Sequence, residues 1–120
     1  MRSFKEGFMK EIKAIIQPFK AEEVIATLRT IQNMSGMTVS EVHGYGKAVP
    51  GSSSREEEAR IFGSKKIKLE MVVPDLLVEK VTEIITTIAH TGNPGDGRLF
   101  IYTVDDVIKI RTGERGEQAI

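Results

Sequence analysis

Two stretches of this chain follow one plan, and that duplication narrows the fold more than any other feature. Residues 12–31 read IKAIIQPFKAEEVIATLRTI and residues 68–88 read KLEMVVPDLLVEKVTEIITTI. Each begins with a β-favouring run and reaches a proline, Pro18 or Pro74, which cannot donate to a strand ladder but is tolerated in the first turn of a helix. Each then shows a helical stripe: Val24, Ile25, Leu28 and Ile31 in the first copy, Val78, Val81, Ile85 and Ile88 in the second. Asp75, directly after Pro74, is the predicted N-cap of the second helix. A further strand candidate follows each helix, TVSEVHGY over 38–45 and RLFIYTV over 98–104. The order βαββαβ predicts an α+β, ferredoxin-like domain, an antiparallel sheet carrying two helices on one face.

The other face of that sheet needs a cover. In the third strand Ile67, Leu69, Met71 and Val73 fill one side, while Lys66, Lys68, Glu70 and Val72 share the other. Such a face is too apolar for water and too charged for a sealed core, which points to a partner subunit.

Size and charge exclude several classes. At 120 residues the chain makes one domain, without surplus for a second. Lys plus Arg equals Asp plus Glu at 17 each, so no net basic field exists to hold a nucleic-acid backbone. No apolar run approaches the roughly 20 residues that span a bilayer, and there is no cysteine for a disulfide, a thiolate metal site or a nucleophile. These features predict a soluble, cytoplasmic protein. The start, MRSFKEGF, is basic but lacks the apolar centre of a secretion signal. Residues 1–8 read as an extension and 9–120 as the domain.

The final quarter, TGNPGDGRLFIYTVDDVIKIRTGERGEQAI, has an anion-binding layout. Gly92, Gly95 and Gly97 allow positive φ and close backbone approach, and successive N–H groups in such a turn form a nest for phosphate oxygens. Arg98 follows at once. Lys109 and Arg111, on alternate residues, are expected on one side of an extended segment where they could converge on one ligand. Residues 46–63, GKAVPGSSSREEEARIFG, break both periodicities and form a long loop between two strands, the kind of segment that carries function in a compact domain.

That final quarter resembles the C-terminal signature of the PII signal-transduction family, the trimeric nitrogen-regulatory proteins. The resemblance continues through KEIKAIIQPFK (10–20), GMTVSEVHGYG (36–46) and KKIKLEMVVP (65–74), with the main divergence in the loop. It implies a homotrimer with sheets facing inward, an adenine nucleotide (ATP or ADP) bound between neighbouring subunits, and magnesium admissible alongside ATP. Carried over residue by residue, Gly95, Asp96, Gly97 and Arg98 of one subunit wrap the phosphates, with Gly46 and Lys47 at the opening of the loop. Lys109 and Arg111 reach in from the neighbour. Ile15, Gly44, Glu70 and Val72 contact the base side, with Gly36, Met37 and Thr38 across the interface. Arg98 stands where lysine is usual and Lys109 where arginine is usual; charge is kept at both.

The loop matches the T-loop, the arm that family members insert into their targets. Its departures have consequences. Where nitrogen-sensing relatives carry a glutamine that helps hold magnesium and 2-oxoglutarate, this chain has Ala48, which cannot ligate a metal. Lys66, matching the lysine that pairs with the oxoglutarate carboxylate, is retained as an effector-binding candidate. The loop has no tyrosine, so uridylylation there is excluded. Ser52, Ser53 and Ser54 read as flexible filler or as acceptors of another modification. Glu56, Glu57 and Glu58 read as a solvated patch or a docking surface. His43 and His90, the only histidines, lie far apart in sequence with no clustered partners, and no protein metal site is expected.

Three functions compete. A non-catalytic regulator would use nucleotide binding to set the loop and thereby grip or release a target such as a transporter, a channel or a metabolic enzyme. A small ferredoxin-like enzyme acting on phosphorylated or anionic substrates would need an asparagine in a catalytic frame, and neither Asn33 nor Asn93 sits in one. An RNA-recognition domain shares the element order but needs aromatics on its central strands, and KIKLEMVV has none. The regulator is the reading the residues favour, with no catalytic residue.

Overall fold

The computed structural model describes residues 8–46 and 63–120. Residues 1–7 lie outside these, as do Lys47, Ala48, the three serines and the three glutamates of the loop. Strand β1 (Met9–Ile16) leads to helix α1 (Pro18–Leu28), strand β2 (Thr38–Gly44) and strand β3 (Ser64–Pro74). A single 3-10 turn (Asp75–Leu77) then feeds helix α2 (Val78–Ala89) and strand β4 (Gly97–Val104), and a second short turn covers Glu117–Ala119. The sheet order is β2-β3-β1-β4, antiparallel at every pair, as the βαββαβ reading requires.

Alternation within the two central strands produces the core. Ile12, Ala14 and Ile16 of β1 and Leu69, Met71 and Val73 of β3 point to the helices, where Val24, Leu28, Val78, Val81 and Ile85 meet them. Apart from Ala14, each of these side chains contributes about 1.5 to 3 kcal/mol over an exposed one, so this single layer holds both helices in place. Pro18 sits in the first turn of α1, as expected. The helix ends at Leu28, short of the expected Ile31: the N–H of Thr30 donates to the Thr27 carbonyl and that of Ile31 to Leu28, tightening the chain into a turn. Ile31 is nevertheless buried, because the turn returns it to the core. Among the described residues no helix is long and apolar enough to cross a membrane.

Asp75 does not occupy an N-cap position: it is the first residue of the 3-10 turn, Pro74 precedes that turn and Leu77 precedes α2. No side-chain cap bond forms at either Asp75–Leu77 or α2. Its carboxylate instead lies beneath the sheet end, 2.9 Å from Lys10 Nζ, and the Asp75 N–H donates to the Phe8 carbonyl. The ammonium on the neighbouring strand gives this buried carboxylate a full opposite charge, which stabilises it more than a partial one would.

The sheet face away from the helices carries Glu11, Lys13, Ile15, Lys68, Glu70, Phe100 and Tyr102. Lys13 Nζ lies 5.2 Å from the Phe100 ring and 5.0 Å from the Tyr102 ring. A hydrogen bond with the Tyr102 side chain holds its ammonium above the usual lysine range. Both aromatics remain exposed within the single chain.

Candidate functional site

The glycine turn is built by Asp96. Between the end of α2 and the start of β4 its carboxylate accepts the N–H groups of Thr91 (2.7 Å) and Gly92 (2.9 Å) and the Thr91 hydroxyl, with His90 Nδ1 at 3.8 Å. The Thr91 hydroxyl and the two backbone donors hold its pKa down to about 2. Asp96, expected to help wrap phosphates, turns its carboxylate back into the loop, onto Thr91 and Gly92. Gly95 and Gly97 take φ of 98° and 101°. A β-carbon at Gly97 would sit 1.7 Å from the Ile15 carbonyl oxygen, so only glycine lets β4 approach β1 at this point. Arg98 follows on β4, opposite Ile15 in register.

Beside this turn lies the first of two cavities on the open face, with a volume of about 380 Å³. Its floor is Ile15; Gly44 enters from the end of β2 with Tyr45 and Gly46 just beyond it, Ser64 and Lys66 from β3, and Gly95, Gly97, Arg98 and Phe100 from the turn and β4. Both stems of the 46–63 loop thus meet the glycine turn. Lys66 Nζ donates to the Gly95 carbonyl at 2.7 Å, tying stem to turn. Tyr45, Ser64 and Phe100 escaped the sequence reading, although the alternation of β4 places Phe100 on the same side as Arg98.

The second cavity, about 360 Å³, lies at the other end of that face. Glu11, Ser35, Gly36, Thr38, Glu70 and Val72 line it, with Val107, Ala119 and Ile120 closing one side. Met37 turns instead toward the core. Glu70 and Val72 therefore sit with Gly36 and Thr38 rather than beside Ile15 and Gly44. Strand rise is the reason: Val72 lies six residues beyond Lys66, about 20 Å along an extended chain. One chain cannot fold the two groups together.

Lys109 and Arg111 do not share one side of an extended segment. The chain reverses after Ile108, which bridges to Arg115; the Lys109 N–H donates to the Glu114 carbonyl and the Gly113 N–H to Lys109. Gly113, at φ 77°, makes the reversal possible. Arg111 stands exposed at the tip beside the 99% exposed Ile110, and Lys109 lies 3.9 Å from Glu114. Asp106 anchors the base of this projection through Arg115 at 2.9 Å and the Gly116 N–H. Among the described residues no group of three His, Asp or Glu side chains could hold a metal ion. A third groove, about 200 Å³, lies on the helix side over Ile16, Ile85 and Leu99 and shares only Gly97 and Arg98 with the first cavity.

Known proteins share this arrangement over almost the full chain. The family profile described as nitrogen regulatory protein P-II matches residues 9–114. A P-II protein of Haemophilus influenzae is 45% identical over 113 residues, covering 93% of this chain and 100% of its own. P-II 2 of Methanothermobacter thermautotrophicus is 47% identical over 114 residues, 94% of this chain and 98% of its own. Among solved structures, a Bacillus subtilis GlnK–ATP complex superposes with a TM-score of 0.76 at 30% identity, covering 97% of this chain and 99% of that one. Arabidopsis thaliana PII bound to citrate gives 0.76 at 35% identity, with 94% and 92% covered.

Proposed function

The chain belongs to the nitrogen regulatory protein P-II family, and we propose that within it the chain is a homotrimeric, non-catalytic receptor for ATP or ADP that governs a target protein through the 46–63 loop. The observation that carries this reading is the division of the site. One end of the open face offers a glycine turn with Arg98, suited to phosphates; the other offers a strand edge with Thr38 and Val72, suited to a base. A second copy laid against the open face brings the turn of one subunit to the strand edge of the next, and the exposed Arg111 tip reaches the same cleft. It also covers Phe100 and Tyr102. That a similar GlnK was solved with ATP supports the choice of ligand.

The loop stems border the phosphate end, so a ligand there acts on the loop at its root, by favouring the loop arrangements it binds best. Subunit mixing tests the shared site. Arg98→Ala and Arg111→Ala trimers should each bind ATP about tenfold or more weakly, the loss of one charge-assisted contact. Mixed trimers of the two should regain a share of full-affinity sites, because some interfaces then carry both arginines. A monomer by sedimentation, or mixing that restores nothing in calorimetry, would overturn the shared cleft.

For 2-oxoglutarate we expect a weak response. Ala48 supplies no donor to a metal, and Lys66 already has an acceptor in Gly95. The missing ligand should cost roughly 1 to 3 kcal/mol of binding, leaving the ATP to ADP ratio as the main signal. Titration with magnesium and ATP present is the measurement, and Ala48→Gln should gain affinity. Micromolar binding by the unaltered protein would refute this.

A further inference from the structure

Val72 occupies a place on β3 where the sheet runs out of partner. The pairing with β2 extends from Gly44↔Ser64 to Thr38↔Glu70, and its continuation would set Gly36 opposite Val72, but β2 begins only at Thr38. The side chain of Ser35 takes the vacant place: its hydroxyl donates to the Val72 carbonyl. A residue in an antiparallel strand sends its N–H and C=O toward the same neighbour. The Val72 N–H therefore points the same way as its carbonyl, into the cavity bounded by Gly36 and Thr38, and among the described residues no loop carbonyl accepts it. One peptide edge thus presents a donor beside an acceptor, and the carbonyl has a second lone pair left for a ligand.

We propose that Ser35 is a positioning residue for base selection, holding the Val72 edge in the orientation that admits adenine and rejects guanine. This rests on the adenine-nucleotide reading above. Adenine sets a ring-nitrogen acceptor beside an exocyclic amino donor and so complements an N–H beside a C=O; guanine carries the reverse, a ring N–H beside a carbonyl oxygen. A site that reads a base this way discriminates only as well as its donor and acceptor are held. Ser35 holds them twice: it fixes the carbonyl directly, and it ties the wall formed by residues 35–38 to β3, so the cavity keeps its width.

The test compares Ser35→Ala and Ser35→Thr with the unaltered full chain, using calorimetry with ATP and, separately, GTP. Ser35→Ala should lower the ATP to GTP affinity ratio by about threefold to tenfold, mostly through weaker ATP binding. Ser35→Thr, which keeps the hydroxyl, should retain the ratio. A residue with a merely structural role would change the melting temperature and leave the ratio alone, so an unchanged ratio in Ser35→Ala overturns the proposal. If Ser35→Ala does not fold, a lowered ratio in Ser35→Thr overturns it and a retained ratio supports it. Failure of the unaltered protein to bind ATP refutes the nucleotide reading itself and the proposal with it.

Discussion

Gly97→Ala is expected to break the glycine turn and the start of β4 together and, if the proposed nucleotide site is right, to abolish measurable ATP binding. The added β-carbon would lie 1.7 Å from the Ile15 carbonyl oxygen, 2.8 Å from its carbonyl carbon and 3.2 Å from Ile16 Cα. None of these atoms can retreat. They belong to β1, a central strand whose Ile12, Ala14 and Ile16 are locked in the core and whose backbone pairs on both sides. Relief must come from β4, by parting Gly97 from Ile16 and Arg98 from Ile15. A non-glycine residue at φ 101° adds about 1 to 3 kcal/mol of backbone strain, and with the lost pairing the total should exceed roughly 3 kcal/mol. Gly95→Ala is the useful contrast. It keeps the strain at φ 98°, but its nearest obstacle is Gln17 Nε2 at 2.9 Å, the movable end of a side chain. Urea denaturation and ATP calorimetry should rank the two clearly, and a Gly97→Ala protein with full stability and affinity would contradict the turn described here.

Asp75→Ala should destabilise the protein nearly as much by a different route. Its carboxylate and the Lys10 ammonium, 6% and 13% exposed, sit 2.9 Å apart where β3 passes into the second helix. Removing one partner strands the other charge in a poorly hydrated place, which costs about 3 to 5 kcal/mol. Replacing both members with apolar residues, Lys10→Met with Asp75→Leu, should recover most of that loss, because no uncompensated charge remains. Denaturation must be compared at one protein concentration, since the stability of the proposed trimer would depend on it. Equal stability of Asp75→Ala and the unaltered chain would mean that the pair contributes nothing.

Both predictions concern residues that the sequence marks without explaining. Gly97 is legible as part of a turn because three glycines in six residues have few other uses; that β1 passes close enough to forbid a methyl group is a property of strand order. Asp75 follows a proline at a helix start, and local chemistry favours a cap there. It pairs with Lys10 because β1 runs antiparallel beside β3 and sets Met9 opposite Pro74, bringing residues 65 positions apart into contact. Asp96 likewise reads as one more member of an anion loop until its three donors are seen to lie within that loop.

The element order, the helix-facing side of β3, the two apolar helix stripes and the family were determined by sequence alone. Each depends on periodicity or on local motifs, and periodicity records which side of a backbone must leave water. The tertiary structure alone decided how the site is divided. Lys66 and Val72 share one strand and one face, yet strand rise puts them in different cavities. Lys109 and Arg111 alternate in sequence, yet a glycine beyond them reverses the chain. Ser35 meets Val72 only because β2 starts three residues later than Ser35. These relations arise from register, strand length and chain reversal, which bring distant residues together or hold near ones apart, and no window of sequence contains them.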